Sequence, residues 1–222
     1  AKLAAKEKGN ADKWLITGQF PSFSPFLKYS KKRELRKKVH FGVTTKCNGG
    51  KHDNNELCKK IAKLKHKRAK LLGYRNYADY ILEKRMAERQ ERIFDLLDNL
   101  YNSCIPHAKE DLKNISNIAK KLDNINEIKS WDMSYYAEKL KQDIYNFDEN
   151  DLKPYFQSKE VMKGAFKVAE KLYGLKFKLL NNVQTRHDDV RVFEVSEDNG
   201  DHVGILYEDL FPRETKRGGA WM

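Results

Sequence analysis

The stretch SKEVMKGAFKVAEKLYGLKFKLL, residues 158–180, decides the fold class because its apolar period changes within it. Ser158 is a candidate helix cap, a helical period of about 3.6 runs to Tyr173, and Gly174 stands just past the helix end. In residues 175–179 apolar side chains alternate with lysines, and this period of two predicts a strand. The chain therefore changes here from helices to strands.

Strand signals continue towards the C-terminal end. Val190–Val195 and Val203–Leu210 are predicted strands, and the Asp-Asn-Gly turn at residues 198–200 joins them as a hairpin. Residues 218–222 are a candidate further strand. Helices followed by a small antiparallel sheet near the C-terminal end predict an α+β fold that is predominantly helical.

This order predicts a helical region, residues 1–174, followed by a sheet region, residues 175–222. Within the helical region, an apolar stripe along Ile93–Leu122 predicts a long helix, which Pro106 should kink or split. Trp131–Tyr145 also has a helical pattern. A set of aromatic residues is interpreted as core rather than as the lining of a pocket: Trp131, Tyr135, Tyr136, Tyr155 and Phe156.

The composition is that of a globular intracellular protein. Hydrophobic residues make up 40% and charged residues 34% of the 222 residues, which is enough for a core. No run of about 18 apolar residues occurs, which excludes a transmembrane helix. The basic start is followed by no apolar stretch and no cleavage-like site, so no signal peptide is predicted. The spacing of Cys47, Cys58 and Cys104 fits neither a disulfide scaffold nor Cys-x-x-Cys, so reduced thiols are predicted.

The positive charge is concentrated in the first third of the chain. Residues 1–70 hold 20 Lys/Arg and 5 Asp/Glu, a net charge of +15, whereas the remaining residues hold 24 and 27, a net charge of −3. Such a block can bind nucleic acid or an acidic membrane surface. A solvated surface in a lysine-rich protein explains it more simply.

Chemistry motifs alone give no complete active site. The closest two histidines are 12 residues apart, which excludes His-Glu-x-x-His, and no Gly-x-Ser-x-Gly or Walker sequence occurs. Charged residues do crowd the C-terminal hairpin, and we interpret them as ion pairs around a sheet edge: His187, Asp188, Asp189, Arg191, Glu194, Glu208, Asp209, Arg213, Glu214, Lys216 and Arg217. The Gly-Gly-Ala next to them would let a peptide approach as a further strand.

Four blocks, in order along the chain, resemble the thimet oligopeptidase family of zinc metallopeptidases, and within it the oligopeptidase A and peptidyl-dipeptidase branch. They are LLGYRNYADYILEKRMAE (Leu71–Glu88), WDMSYYAEKLKQDIYNFDENDLKPYF (Trp131–Phe156), HDDVRVFEV (His187–Val195) and DLFPRETKRGGAWM (Asp209–Met222). The resemblance covers nearly the whole chain. It implies part of a larger two-lobed, mostly helical peptidase that cleaves short peptides in a deep channel.

The resemblance also implies where the chemistry lies. In the family, zinc is held by the two histidines of a His-Glu-Phe-Gly-His helix and a later Glu, and the Glu inside the motif is the general base. That helix comes after the Gly-Gly-Ala-Trp-Met block, on which this sequence stops. We therefore expect an internal fragment ending before the zinc motif, with no catalytic residue and no metal ligand of its own.

Two groups of residues carry family roles. Gly218, Gly219 and Ala220 match the strand that pairs with the substrate backbone. The family's His-Pro-Asp-Val-Arg block is matched by His187, Asp189 and Arg191, which are expected to support the site structurally, with Asp188 in place of the usual Pro.

The leading hypothesis is thus a fragment of a zinc-dependent metallopeptidase that hydrolyses short oligopeptides. The fragment would contribute channel wall and the substrate-pairing edge strand and would be inactive alone. Its expected partners are short peptides and the rest of the same polypeptide, without a membrane, in the cytoplasm or in an organelle. The alternatives are a non-catalytic peptide-binding relic of the family and a basic nucleic-acid-binding protein.

Overall fold

Helices precede strands along the chain in the computed structural model, which describes residues 1–216, 218 and 219. The α-helices of this part are α1 (Lys2–Glu7), α2 (Phe20–Tyr29), α3 (Arg33–Thr44), α4 (Asn55–Leu71), α5 (Tyr77–Leu82), α6 (Gln90–Asp123), α7 (Ser130–Tyr145) and α8 (Ser158–Tyr173). The strands are β1 (Lys176–Leu180), β2 (Arg191–Ser196) and β3 (His202–Glu208), paired antiparallel in the order β1-β2-β3. This confirms the predicted α+β fold, mainly helical with a small antiparallel sheet near the C-terminal end.

The chain divides into two compact units, Ala1–Ile144 and a second unit from Tyr145 onward. The second unit therefore contains α8 as well as the sheet. The boundary predicted at residue 174 separates elements by type, since the described helices end at Tyr173 and the strands begin at Lys176. As a domain boundary it stays a prediction.

The core of the first unit forms where α6 and α7 pack together. Ile115, Ile118 and Ala119 of α6 are buried with Tyr135 and Tyr136 of α7. The two tyrosine rings meet edge to face, with centroids 5.0 Å apart.

The interpretation of the aromatic set as core is therefore correct for Tyr135 and Tyr136, which are 6% and 1% exposed. It is wrong for Tyr155 and Phe156, which are 80% and 63% exposed. Both lie between α7 and α8, where no regular helix turns their side chains onto a buried face.

Two local predictions also need correction. Of the two outcomes predicted for Pro106, a split of the helix is wrong, since α6 runs as one helix of 34 residues through it, and a kink stays a prediction. Proline removes a single intrahelical hydrogen bond, and a helix of this length has many others. Ser158 is not a cap but the first residue of α8, where Gln157 is the N-cap without a side-chain hydrogen bond. Gly174 has the predicted left-handed conformation, with φ of 69°.

A fully buried carboxylate joins α3 to α7. Asp132 has no exposed surface, and its two oxygens accept hydrogen bonds from the Nε of Arg33, both at 3.1 Å, and from the Nη2 of Arg33 at 2.7 Å. The Nη2 of Arg36 donates to Oδ1 at 2.8 Å, and the backbone N–H of Lys129 donates to Oδ2 at 3.1 Å. The acceptors of this carboxylate are thus well supplied with donors, as burial of a charge requires.

Arg36 is buried with its partner and is only 1% exposed. Its other nitrogens donate to two backbone carbonyls, from Nη1 to Ser30 at 2.8 Å and from Nε to Trp131 at 3.3 Å. Its guanidinium lies 4.2 Å from the ring centre of Tyr135, a cation–π contact. Arginine suits this place because its planar fork can serve several acceptors at once.

In the second unit α8 packs on the sheet through aromatic rings. Phe166 of α8 stacks on Phe177 of β1 with centroids 4.2 Å apart and meets Phe193 of β2 edge to face at 5.0 Å. Val192, Phe193 and Val195 make β2, the central strand, the most buried of the three. The hairpin predicted from residues 198–200 is present, with Gly200 at φ of 94°.

We predict that Asp132→Asn lowers the free energy of unfolding by about 3 kcal/mol, because two arginines then face a neutral side chain in a buried place. Urea unfolding of the chain measures this. The matched control is Asp143→Asn on the same helix, whose side chain is 53% exposed and lies 3.6 Å from Lys121. The control should change stability by less than about 0.5 kcal/mol, and equal losses in both variants would contradict the central role of Asp132.

We also predict a specific dependence of stability on pH. Burial alone raises the pKa of Asp132, but the hydrogen bonds from Arg33, Arg36 and the Lys129 N–H outweigh it and lower the pKa. A lowered pKa in the folded state gives stability that is present above the unfolded value of about 3.9 and is lost as the pH falls through the folded value. Urea midpoints measured from about pH 6 downwards should therefore fall less steeply in Asp132→Asn than in the unmodified chain.

Candidate functional site

A cavity of about 380 Å³ opens in the second unit where β2 begins and β3 ends. Its walls come from the start of α8, from the segment that leads into β2 and from the end of β3. The lining residues are Gln157, Ser158, Lys159, Asp188, Asp189, Arg191, Glu208, Leu210 and Phe211. The structure therefore brings Asp189 and Arg191, two of the predicted supporting residues, to one place.

Arg191 and Glu208 form the charged pair at this cavity. The strand register places them opposite each other on β2 and β3, and the Nε of Arg191 donates to Oε2 of Glu208. The Glu208 side chain is 5% exposed and that of Arg191 is 35% exposed. The other oxygen, Oε1, is buried without a hydrogen-bond partner among the described residues. The Glu208 carboxylate is thus nearly buried at the end of the sheet, and among the described residues only one of its two oxygens accepts a hydrogen bond.

His187 begins a tight turn into β2. The N–H of Val190 donates to the carbonyl of His187 at 3.0 Å, which closes a β-turn with Asp188 and Asp189 at its centre. The N–H of Asp189 donates to Nδ1 of His187 at 3.2 Å. Asp188, at the position where the resemblance implies proline, is therefore the first central residue of a turn, a position that suits proline and is compatible with most other residues. The substitution leaves the turn in place.

The loop after β3 is held by a second set of charges. Both oxygens of Asp209 accept from Arg213, Oδ1 from Nη1 and Oδ2 from Nη2, each at 2.8 Å. The ammonium of Lys216 lies 2.9 Å from Oδ1 of Asp209. These hydrogen bonds from Arg213 and Lys216 hold the pKa of Asp209 well below its usual range. Both this set and the Arg191–Glu208 pair agree with the interpretation of these charges as ion pairs.

The predicted substrate-binding residues lie just after this loop. Gly218 and Gly219 adopt bends and are not part of the described sheet ladders, and Ala220 lies outside the described residues. Gly219 has φ of 126°, a conformation that residues with side chains rarely adopt, so glycine is the residue that fits there. The role of these three residues in substrate binding stays a prediction.

The described residues do not fit a zinc site. Within residues 1–216, 218 and 219, no group of three or more His, Cys, Asp or Glu side chains could hold a metal ion. No described helix is long and apolar enough to cross a membrane.

Glu208 was recognised in the sequence as one of the charges around the sheet edge, but neither its pairing with Arg191 nor the contribution of α8 to the cavity was predicted. The Asp-Asn-Gly turn is centred on Asn199 and agrees with the pairing of Ser196 with His202, but its register, continued along the strands, would set Arg191 opposite Tyr207. The β-bulge between Val195 and Ser196 shifts the register by one residue and sets Arg191 opposite Glu208. For the start of α8 no signal existed, since Ser158 and Lys159 reach the cavity only because the helix packs on the sheet.

The comparison with known proteins decides the family. The model of peptidase family M3 matches residues 26–222. The chain belongs to peptidase family M3. This match and the relatives described next confirm the resemblance to thimet oligopeptidases and to their oligopeptidase A and peptidyl-dipeptidase branch.

Individual M3 relatives agree with this assignment. Oligopeptidase A of Escherichia coli is 35% identical over 230 residues, covering 100% of this chain and 34% of the relative. Dipeptidyl carboxypeptidase of Escherichia coli is 30% identical over 224 residues, covering 100% and 33%. The organellar oligopeptidase A of Arabidopsis thaliana, chloroplastic/mitochondrial, is 32% identical over 213 residues, covering 94% and 27%. The chain thus spans about a third of the length of these relatives.

A double-mutant cycle should detect the coupling between Arg191 and Glu208. Arg191→Met leaves a buried carboxylate unpaired and should lower the free energy of unfolding by about 2 to 3 kcal/mol, whereas Glu208→Gln should cost about 1 kcal/mol. The double variant should lose less than the sum of the two, as measured by urea unfolding.

The control is Glu194→Gln, whose side chain is 38% exposed and lies 3.8 Å from His202. It should cost under about 0.5 kcal/mol. Strictly additive losses for Arg191 and Glu208 would show that the pair does not stabilise the sheet end.

Proposed function

We propose that this chain forms part of a zinc-dependent M3 peptidase that hydrolyses short oligopeptides. The observation that carries the proposal is the alignment over 100% of the chain with oligopeptidase A at 35% identity. An alignment over the whole chain implies that the helices and the sheet are retained together. The proposal therefore assigns this chain the role that the corresponding third of the relative has in its own enzyme.

Within that enzyme we assign the chain a wall of the substrate channel and an edge for peptide pairing. β3 pairs with β2 on one side only in the described sheet, so the backbone of its other side is open to a further strand. Gly218 and Gly219 follow β3 after the loop of residues 209–216 and have no side chains to obstruct an approaching backbone. Peptides bind to many proteins by adding a strand to such an edge.

The zinc ion belongs, in this proposal, to a part of the parent protein outside residues 1–222. Zinc would lower the pKa of a bound water and polarise the scissile carbonyl. The described residues provide no cluster that could bind it. The contribution of this chain is then to hold and orient the peptide backbone, and we propose that the isolated chain is inactive.

The remainder of the same polypeptide is the partner that we propose for the exposed apolar surface. The N-terminal part of α6 carries apolar residues that are each about half exposed or more: Phe94, Leu96, Leu97, Leu100 and Tyr101. Exposed apolar surface of this extent is typical of an interface. We place the parent protein in the cytoplasm, with an organelle as the alternative that the organellar plant relative represents.

The isolated chain, supplied with zinc, should not cleave a quenched fluorogenic oligopeptide above a blank without protein. The reason is that its described residues lack a ligand set to activate water. Cleavage that EDTA abolishes would contradict the proposed inactivity.

A separate check on the parent is the source reading frame beyond Met222, which should encode His-Glu-x-x-His on a helical pattern and then a further Glu. A frame without these ligands would favour the non-catalytic peptide-binding alternative.

A further inference from the structure

We infer that Asp209, Arg213 and Lys216 act together as a clamp that positions the segment at Gly218 and Gly219 for pairing with a peptide backbone. The inference rests on the proposed function for the pairing itself. The clamp stands on its own geometry, which is described for residues 209–216.

The clamp is anchored to the sheet at its first residue. Asp209 comes directly after Glu208, the last residue of β3, which pairs with Arg191 in the sheet and is nearly buried. The position of the Asp209 carboxylate is therefore set by the strand before it. Two nitrogens of Arg213 donate to the two oxygens of this carboxylate, each at 2.8 Å. A bidentate contact of this kind fixes the orientation of the two side chains as well as their distance.

Lys216 closes the clamp two residues before Gly218. Its ammonium lies 2.9 Å from Oδ1 of Asp209, donates to the carbonyl of Phe211 at 3.2 Å and donates to the carbonyl of Asp209 as well. A lysine ammonium has three N–H donors, and here each has an acceptor in the loop. The ammonium group of Lys216 thus holds the loop of residues 209–216 together from the C-terminal end of that loop.

This arrangement differs from the scattered ion pairs of the surface. The Asp209, Arg213 and Lys216 side chains are between 22% and 27% exposed, whereas Glu160 and Lys163, an ordinary pair on α8, are 61% and 67% exposed. Exposed pairs stabilise little because water screens them and the side chains lose entropy. Three charges that converge in a partly covered loop lose less to both effects.

The backbone freedom of Gly218 and Gly219 is the reason that a clamp is needed here. The described part of the loop contains no helix or strand, and glycine has more backbone freedom to lose on ordering than any other residue. A peptide that adds as a strand must meet N–H and C=O groups that already point to it, since ordering them during binding would reduce affinity. Fixing Lys216 restricts the two glycines from one side.

Hydrogen exchange of the chain tests the clamp directly. In Asp209→Asn the backbone amide of Lys216, which donates to the carbonyl of Arg213 at 3.1 Å, should exchange about tenfold faster, while the amides of β2 remain unchanged. Asp209→Glu, which keeps the charge, should restore part of the protection. The control Glu160→Gln removes an exposed ion pair and should leave the loop unchanged. Exchange in Asp209→Asn equal to that of the unmodified chain overturns the clamp.

Peptide affinity tests the purpose of the clamp. A fluorescently labelled oligopeptide should bind Asp209→Asn at least about fivefold more weakly than the unmodified chain, with partial recovery in Asp209→Glu and no change in Glu160→Gln. Equal affinity of Asp209→Asn overturns the positioning role. If the unmodified chain binds no peptide but exchange still accelerates in Asp209→Asn, then the clamp stands and the proposed pairing fails, so the two results are distinguishable.

Discussion

The buried carboxylate of Asp132 is the interaction on which the first unit depends. It joins α3 to α7, because Arg33 and Arg36 reach it from nearly a hundred residues earlier in the chain. A charge without exposed surface is tolerated only when its partners are in place. The geometry of this site therefore fixes how α3 lies on α7, and the ring of Tyr135 is packed against Arg36 as part of the same arrangement.

The second unit also depends on charged pairs, but their side chains are more exposed than those of Asp132 and Arg36. Arg191 and Glu208 tie β2 to β3 at the end of the sheet, and Asp209 with its two cations orders the loop after β3. Glu208 is the last residue of β3 and Asp209 follows it directly, yet the two carboxylates pair with different cations. Together they connect the sheet to the segment for which peptide pairing is proposed, and charge placement rather than apolar packing determines that connection.

The sequence predicted many residues of the candidate site but not how strand register and helix packing bring them together. The Asp-Asn-Gly turn predicted the hairpin, but the pairing of Arg191 with Glu208 depends on the β-bulge between Val195 and Ser196, which shifts the register by one residue. The charges around the sheet edge were recognised as ion pairs. The approach of Lys159 to the same cavity was not predictable, since it depends on how α8 packs through Phe166. Tyr155 and Phe156 show the opposite error, because residue type alone suggested burial that no packed element provides.

The sequence by itself determined the family, the fold class and the order of helices and strands. These depend on motifs and on apolar periods, which are local properties of the chain. Only the tertiary structure decided which charges are buried. Arg36 and Asp132 look like ordinary members of charged helical stretches, and they are 1% and 0% exposed because each has the other to neutralise it. Burial of a charge depends on a partner distant in sequence, and local patterns contain no record of that partner.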